Sequence, residues 1–152
     1  MTLNELMTKQ NFLVKILLRQ GDAELSKELK IKVMSMRIEF SKVRTQFEKD
    51  MQEVLEQLKP EGYDNLAQKP NRSKEEEDEL AKINAKITEE YNEFAISKGK
   101  EEITLKENTP TTLSDDEFNQ IVEVNAGNDV EINGTKLQAA DFLEILYSLF
   151  VE

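Results

Sequence analysis

The chain has 152 residues, with 20 basic and 31 acidic side chains, a formal net charge of −11, and no cysteine, histidine or tryptophan. Without cysteine there is no disulfide framework, thiolate nucleophile or thiolate zinc site, and without histidine there is no imidazole base, Ser-His-Asp triad or imidazole metal ligand. The longest apolar run, Phe12 to Leu18, is broken by Lys15 and falls far short of the roughly 20 residues a spanning helix needs. No charged-apolar-small pattern of a secretory signal opens the chain. The expectation is a soluble protein kept in a cytoplasm, one domain or one domain with an appendage, large enough to bury a core.

Thr2-Leu-Asn-Glu5 has the form of a capping box, and Leu3, Leu6, Met7, Leu13, Ile16 and Leu17 follow at helical spacing. This predicts a short first helix over about residues 3–19, stopped at Gly21. Asp22 is placed to cap a second helix, and neither proline nor glycine occurs again before Pro60. The apolar residues Leu25, Leu29, Val33, Met36, Phe40, Val43, Phe47, Met51, Val54 and Leu58 advance at close to the α-helical period, and Leu25, Met36, Phe47 and Leu58 stand eleven apart. At 100° per residue they fall within an arc of about 80°, one buried stripe on a nearly straight helix.

A second apolar set, Ile31, Met34 and Ile38, falls on the opposite side of the same helix. It is open to two readings: the helix is sandwiched between two layers of its own chain, or the set is a contact for another subunit. Lys30, Arg37 and Arg44, spaced by seven, line up between the two faces. Such a line can pair with acidic neighbours, meet a protein partner or follow phosphates, and the aromatic platforms of single-strand binding are missing beside it.

Residues 59–72, punctuated by Pro60, Gly62 and Pro70, read as a loop. Ser73-Lys-Glu-Glu76 is a second capping box, and the acidic run Glu75 to Glu79 sits where the helix dipole favours it. Leu80, Ile83, Ile87, Tyr91 and Phe94 make the stripe of a third helix that ends at Lys98-Gly99, long enough to return antiparallel along the second. Glu102 to Lys106 alternates like a short strand, Ser114-Asp-Asp-Glu117 starts a short helix, and Val130-Glu-Ile132 enters a tight turn at Asn133-Gly134 and returns as Thr135-Lys-Leu137. Ala139 to Phe150 closes the chain as an amphipathic helix. The fold class is mostly α with a minor α+β part: a long antiparallel helical hairpin with a short N-terminal helix (residues 1–99) and a small α+β end piece with a two- or three-stranded sheet (residues 100–152).

Charge divides unevenly. Residues 1–59 hold 11 basic and 9 acidic groups, a net of +2, and residues 60–152 hold 9 and 22, a net of −13. Such a dipolar chain can dock one end onto the other or associate head to tail. Candidate chemistry is sparse. Asp129-Val-Glu131-Ile-Asn133-Gly134 fits the first half of a calcium loop, but position 8 is Lys136 and the bidentate position 12 is Ala140; a hairpin turn explains the same residues. No glycine-rich phosphate loop exists, and with 31 acidic residues a suggestive carboxylate pair carries no weight. Asn133-Gly-Thr135 matches a glycosylation acceptor that only a secreted chain would use. No catalytic residue, metal, cofactor or small-molecule substrate is assigned, and an enzyme is not expected.

The short apolar first helix, the Leu25–Leu58 helix with its basic and aromatic middle, and the closing Gln138–Phe150 segment together resemble small uncharacterised proteins from the structural-gene neighbourhoods of tailed bacteriophages. The resemblance spans about the first 60 and the last 25 residues, and the acidic segment 73–98 has no counterpart in it. It implies a virion structural or assembly protein, located in the virion or host cytoplasm, acting through contacts with other protein subunits, its own copies or virion proteins, with nucleic acid the weaker fit and no membrane. The residues assigned to contact are Ile31, Met34 and Ile38, with Lys30, Arg37 and Arg44 beside them. The alternative is a small acidic host-takeover or anti-defence inhibitor that binds a basic host protein through residues 73–117.

Overall fold

A computed structural model describes residues 1–152. The chain is mostly helical with a minor β component: α1 (Leu3–Leu13), β1 (Arg19–Gln20), β2 (Ala23–Glu24), α2 (Lys27–Leu58), α3 (Tyr63–Gln68), α4 (Lys74–Gly99), α5 (Asp115–Asn125), β3 (Val130–Ile132), β4 (Thr135–Leu137) and α6 (Ala139–Phe150). All three capping boxes form, at Thr2/Glu5, Ser73/Glu76 and Ser114/Glu117, each with the cap hydroxyl accepting from the backbone three residues on and the glutamate accepting in return.

The chain divides into two compact units, one of residues 1–44 and 102–152, the other of residues 45–101. This replaces the expected division at residue 99. The N-terminal helix belongs with the C-terminal piece, because Leu6, Phe12 and Leu13 of α1 find their apolar partners in one core with Phe142, Leu146 and Phe150 of α6. Phe12 and Phe142 stack with ring centroids 5.9 Å apart. The first half of α2 supplies Leu29, Val33, Met36 and Phe40 to the same core, and α5 adds Ile121 and Val124.

Helix α1 ends at Leu13, six residues short of its expected end at residue 19. The backbone beyond it has other partners: Leu17 donates to Asn125 Oδ1 at 2.7 Å and accepts from Asn125 Nδ2 at 3.2 Å. Asn125 thus pairs with Leu17 as a strand neighbour would, and a β1–β2 hairpin through Gly21 (φ +59) follows. Asp22 does not cap α2. Ser26 does, its hydroxyl accepting from Leu29 N at 3.3 Å while its own N–H donates to Gln120 Oε1.

The sheet differs from the expectation in distribution. The two-stranded sheet expected in the end piece forms as β3–β4, and a second two-stranded antiparallel sheet, β1–β2, forms outside it. Glu102 to Lys106 forms no strand. It makes a single bridge from Glu102 to Thr2, and Ile103 donates to the Met1 carbonyl at 3.1 Å. The β3–β4 hairpin turns at Asn133 and Gly134, both with positive φ (50° and 80°), as a tight primed turn requires.

In the second unit, the C-terminal part of α2 is followed by a loop and α4. The segment expected as loop contains α3, whose terminal carbonyls at Leu66 and Ala67 accept from Arg72. Tyr63 donates to Asn84 Oδ1 of α4 at 2.5 Å. Met51 and Ile87 are its buried apolar side chains.

Candidate protein-contact surface

The apolar stripe of α2 behaves as its spacing predicts in the first half of the helix. Leu25, just before it, and Leu29, Val33, Met36 and Phe40 within it are at most 2% exposed. Val43, Phe47, Val54 and Leu58 are half-buried, and Met51 is buried. The opposed set has no such cover. Ile31 is 58% exposed, Met34 43% and Ile38 51%. Of the two readings open in the sequence, a layer of the first unit's own chain over this set is not what forms: the core is closed on one side of α2 and the other side is bare.

These three residues stand at i, i+3 and i+7, and Lys27 and Ser41, both exposed, extend the line at the same alternating three- and four-residue spacing. That is the seam pattern of one helix that packs against another. Val14, 46% exposed, is a further bare apolar residue. It lies at the end of α1, between Leu13 and Ile16, whose carbonyls Arg37 binds, and so beside the same flank of α2. The sequence signal for it is its place off the first helix's apolar stripe.

The basic line assigned to contact is engaged within the chain. Arg37 donates through Nε and Nη2 to Leu13 O at 3.2 and 3.1 Å, and through Nη2 to Ile16 O. It adds donors to carbonyls at and just past the end of α1, and its partial burial lowers its pKa from the ordinary value. Arg44 donates to Gln10 Oε1, to Met7 O at 3.2 Å and to Asn11 Oδ1 at 2.8 Å. Lys30 pairs with Glu24 of β2, and that hydrogen bond and charge lower the Glu24 pKa. The three cations therefore tie α1 and β2 to α2. Lys27 has no ion-pair partner, and Lys42 makes an exposed pair with Glu39 at 2.8 Å.

The remaining apolar exposure is scattered. Tyr147 donates to Asp115 Oδ1 at 3.2 Å and meets Phe118 edge-on at 5.0 Å, so its ring is held. Ile96 of α4 stands alone at 58% exposure. In the second unit, Leu58, Pro60, Ile83 and Ile87 line an open groove of about 320 Å³. No three Asp or Glu side chains converge as a metal site would require. Asp129, first residue of the calcium-like stretch, instead accepts from Ala139 N at the start of α6. No helix is long and apolar enough to cross a membrane. No protein-family model, curated protein or solved structure matches the chain.

Proposed function

We propose that this protein works by protein–protein contact through the outer face of α2, as a structural or assembly component of a phage particle. The observation that carries the contact reading is the bare Ile31-Met34-Ile38 line on the first half of α2, whose opposite side there, Leu29 to Phe40, is buried. Covering an exposed apolar row with another surface removes it from water and is favourable. The placement in a particle rests on the resemblance of the first 60 and last 25 residues.

Ile38→Asp tests the reading. The substitution adds charge to an exposed position, so the helicity and melting temperature of the isolated chain are expected to hold while its incorporation into particles is lost. Mass spectrometry of particles purified from the native host reads the second outcome. A chain absent from particles yet bound one-to-one, in a salt-sensitive way, to a basic host protein would replace this reading with the inhibitor one.

A further inference from the structure

We infer that the surface covering the α2 face is the same face of a second copy of this chain, laid antiparallel across a two-fold axis near residues 34 and 35. The inference rests on the contact reading above and names its occupant. Its basis is the register of the residues along the exposed line and its flanks.

In a two-fold pair each contact occurs twice, and residue i meets j where j meets i. With the axis between residues 34 and 35, Ile31 faces Ile38 of the second copy, Ile38 faces its Ile31, and the two Met34 side chains meet at the centre. The whole exposed apolar row is covered by itself. Lys27 then faces Ser41, a neutral side chain. Glu28 and Lys42 stand on one side of the row, turned from it by roughly 90° and 50° at 100° per residue, and at heights within about 2 Å of each other across the axis at 1.5 Å per residue. Each copy therefore offers Glu28 to the other's Lys42, giving two opposite-charge pairs of the kind that set orientation in helix pairs.

The parallel alternative sets Lys27 against its own counterpart, like charge on like charge, and carries the Glu28 and Lys42 side chains of the two copies to opposite sides of the row, so that the two opposite-charge pairs are lost. On the far flank, where Lys30 and Arg37 would approach their copies, the charged ends are already held: Lys30 by Glu24, Arg37 by the Leu13 and Ile16 carbonyls. Val14, exposed on that flank, adds apolar surface to it.

Because the chain has no cysteine, single cysteines report the geometry cleanly. Met34→Cys lies at the axis, and a disulfide needs Cα atoms about 4.4–6.8 Å apart; it is expected to cross-link under mild oxidation. Lys27→Cys, on the same line, would be about 22 Å from its counterpart in the antiparallel pair and adjacent to it in a parallel one; it is expected not to cross-link. Sedimentation equilibrium up to about 1 mM should give a dimer. Ile38→Asp should raise its dissociation constant about 100-fold or more, and Lys42→Glu about two- to thirtyfold from two exposed charge pairs. Combining Lys42→Glu with Glu28→Lys should restore it to within about twofold. Circular dichroism confirms that each variant is folded. A folded chain that stays monomeric at 1 mM and gives no Met34→Cys cross-link overturns self-pairing, as do cross-linking of Lys27→Cys or growth into open-ended polymers. The contact reading falls on a different result, the unfolding of the isolated chain by Ile38→Asp or unimpaired incorporation of that variant into particles.

Discussion

Single polar side chains hold the unusual connections of this chain in place. Asn125 is 2% exposed and serves Leu17 N, Leu17 O and Ile121 O. Asn125→Ala leaves the Leu17 amide and carbonyl without partners in a buried setting, and is expected to lower unfolding free energy by about 1–3 kcal/mol in urea titration. Arg37→Ala removes charged hydrogen bonds to the Leu13 and Ile16 carbonyls and should cost about 1.5–3 kcal/mol, with Arg37→Lys a poor rescue because one ammonium cannot reproduce the guanidinium fork. Neither role is readable in order of sequence: a lone asparagine and a cation seventh in line show their partners only once residues 108 and 21 positions away are brought beside them. The caps, by contrast, are legible because their partners lie three residues on. The Glu76 pKa is lowered to about 2, first by Lys69 and then by the Ser73 amide. A folded-state pKa below the ordinary 4.5 stabilises α4 above that value, and the contribution is lost as pH falls toward 2. Carboxyl NMR should show Glu76 titrating near pH 2, and amide exchange at Lys74–Glu77 should accelerate across that window.

At the scale of the element, α2 carries both the core and the proposed contact. Phe40 is fully buried and Ile38, two residues earlier, is half exposed. Phe40→Ala is expected to cost about 3–5 kcal/mol through the cavity it leaves, and Ile38→Asp less than about 0.5 kcal/mol; the pair of denaturation curves separates core from surface within one turn. The stripe from Leu25 to Phe40 was legible because helical burial repeats with the backbone period. The fate of the opposite face was not, since periodicity shows that a row is apolar without showing what covers it. The end of α1 departs from its spacing for a related reason. Ile16 and Leu17 keep helical spacing, yet Ile16 is buried on a non-helical path that Asn125 and Arg37 hold, a tertiary preference that overrides local pattern.

Across the whole molecule, apolar burial is uneven. Of 20 buried apolar side chains, Met51 and Ile87 alone lie in residues 45–101. Segments with little buried apolar area open at lower free energy, so amide exchange in 45–101 should outpace that of α5, α6 and the first half of α2. A slower exchange there would reverse this ranking. The expected boundary at residue 99 failed because sequence adjacency suggested that α1 would stay with the hairpin, whereas its apolar face completes the core of α5 and α6. The charge split at residue 59 therefore does not coincide with either unit. The central claim is that the outer face of α2 is where two copies of this chain meet. Sedimentation equilibrium of the wild-type chain beside Ile38→Asp, matched for helicity, tests it most directly: the account requires an associated wild type and a folded monomeric variant, and equal masses for the two folded chains would contradict it.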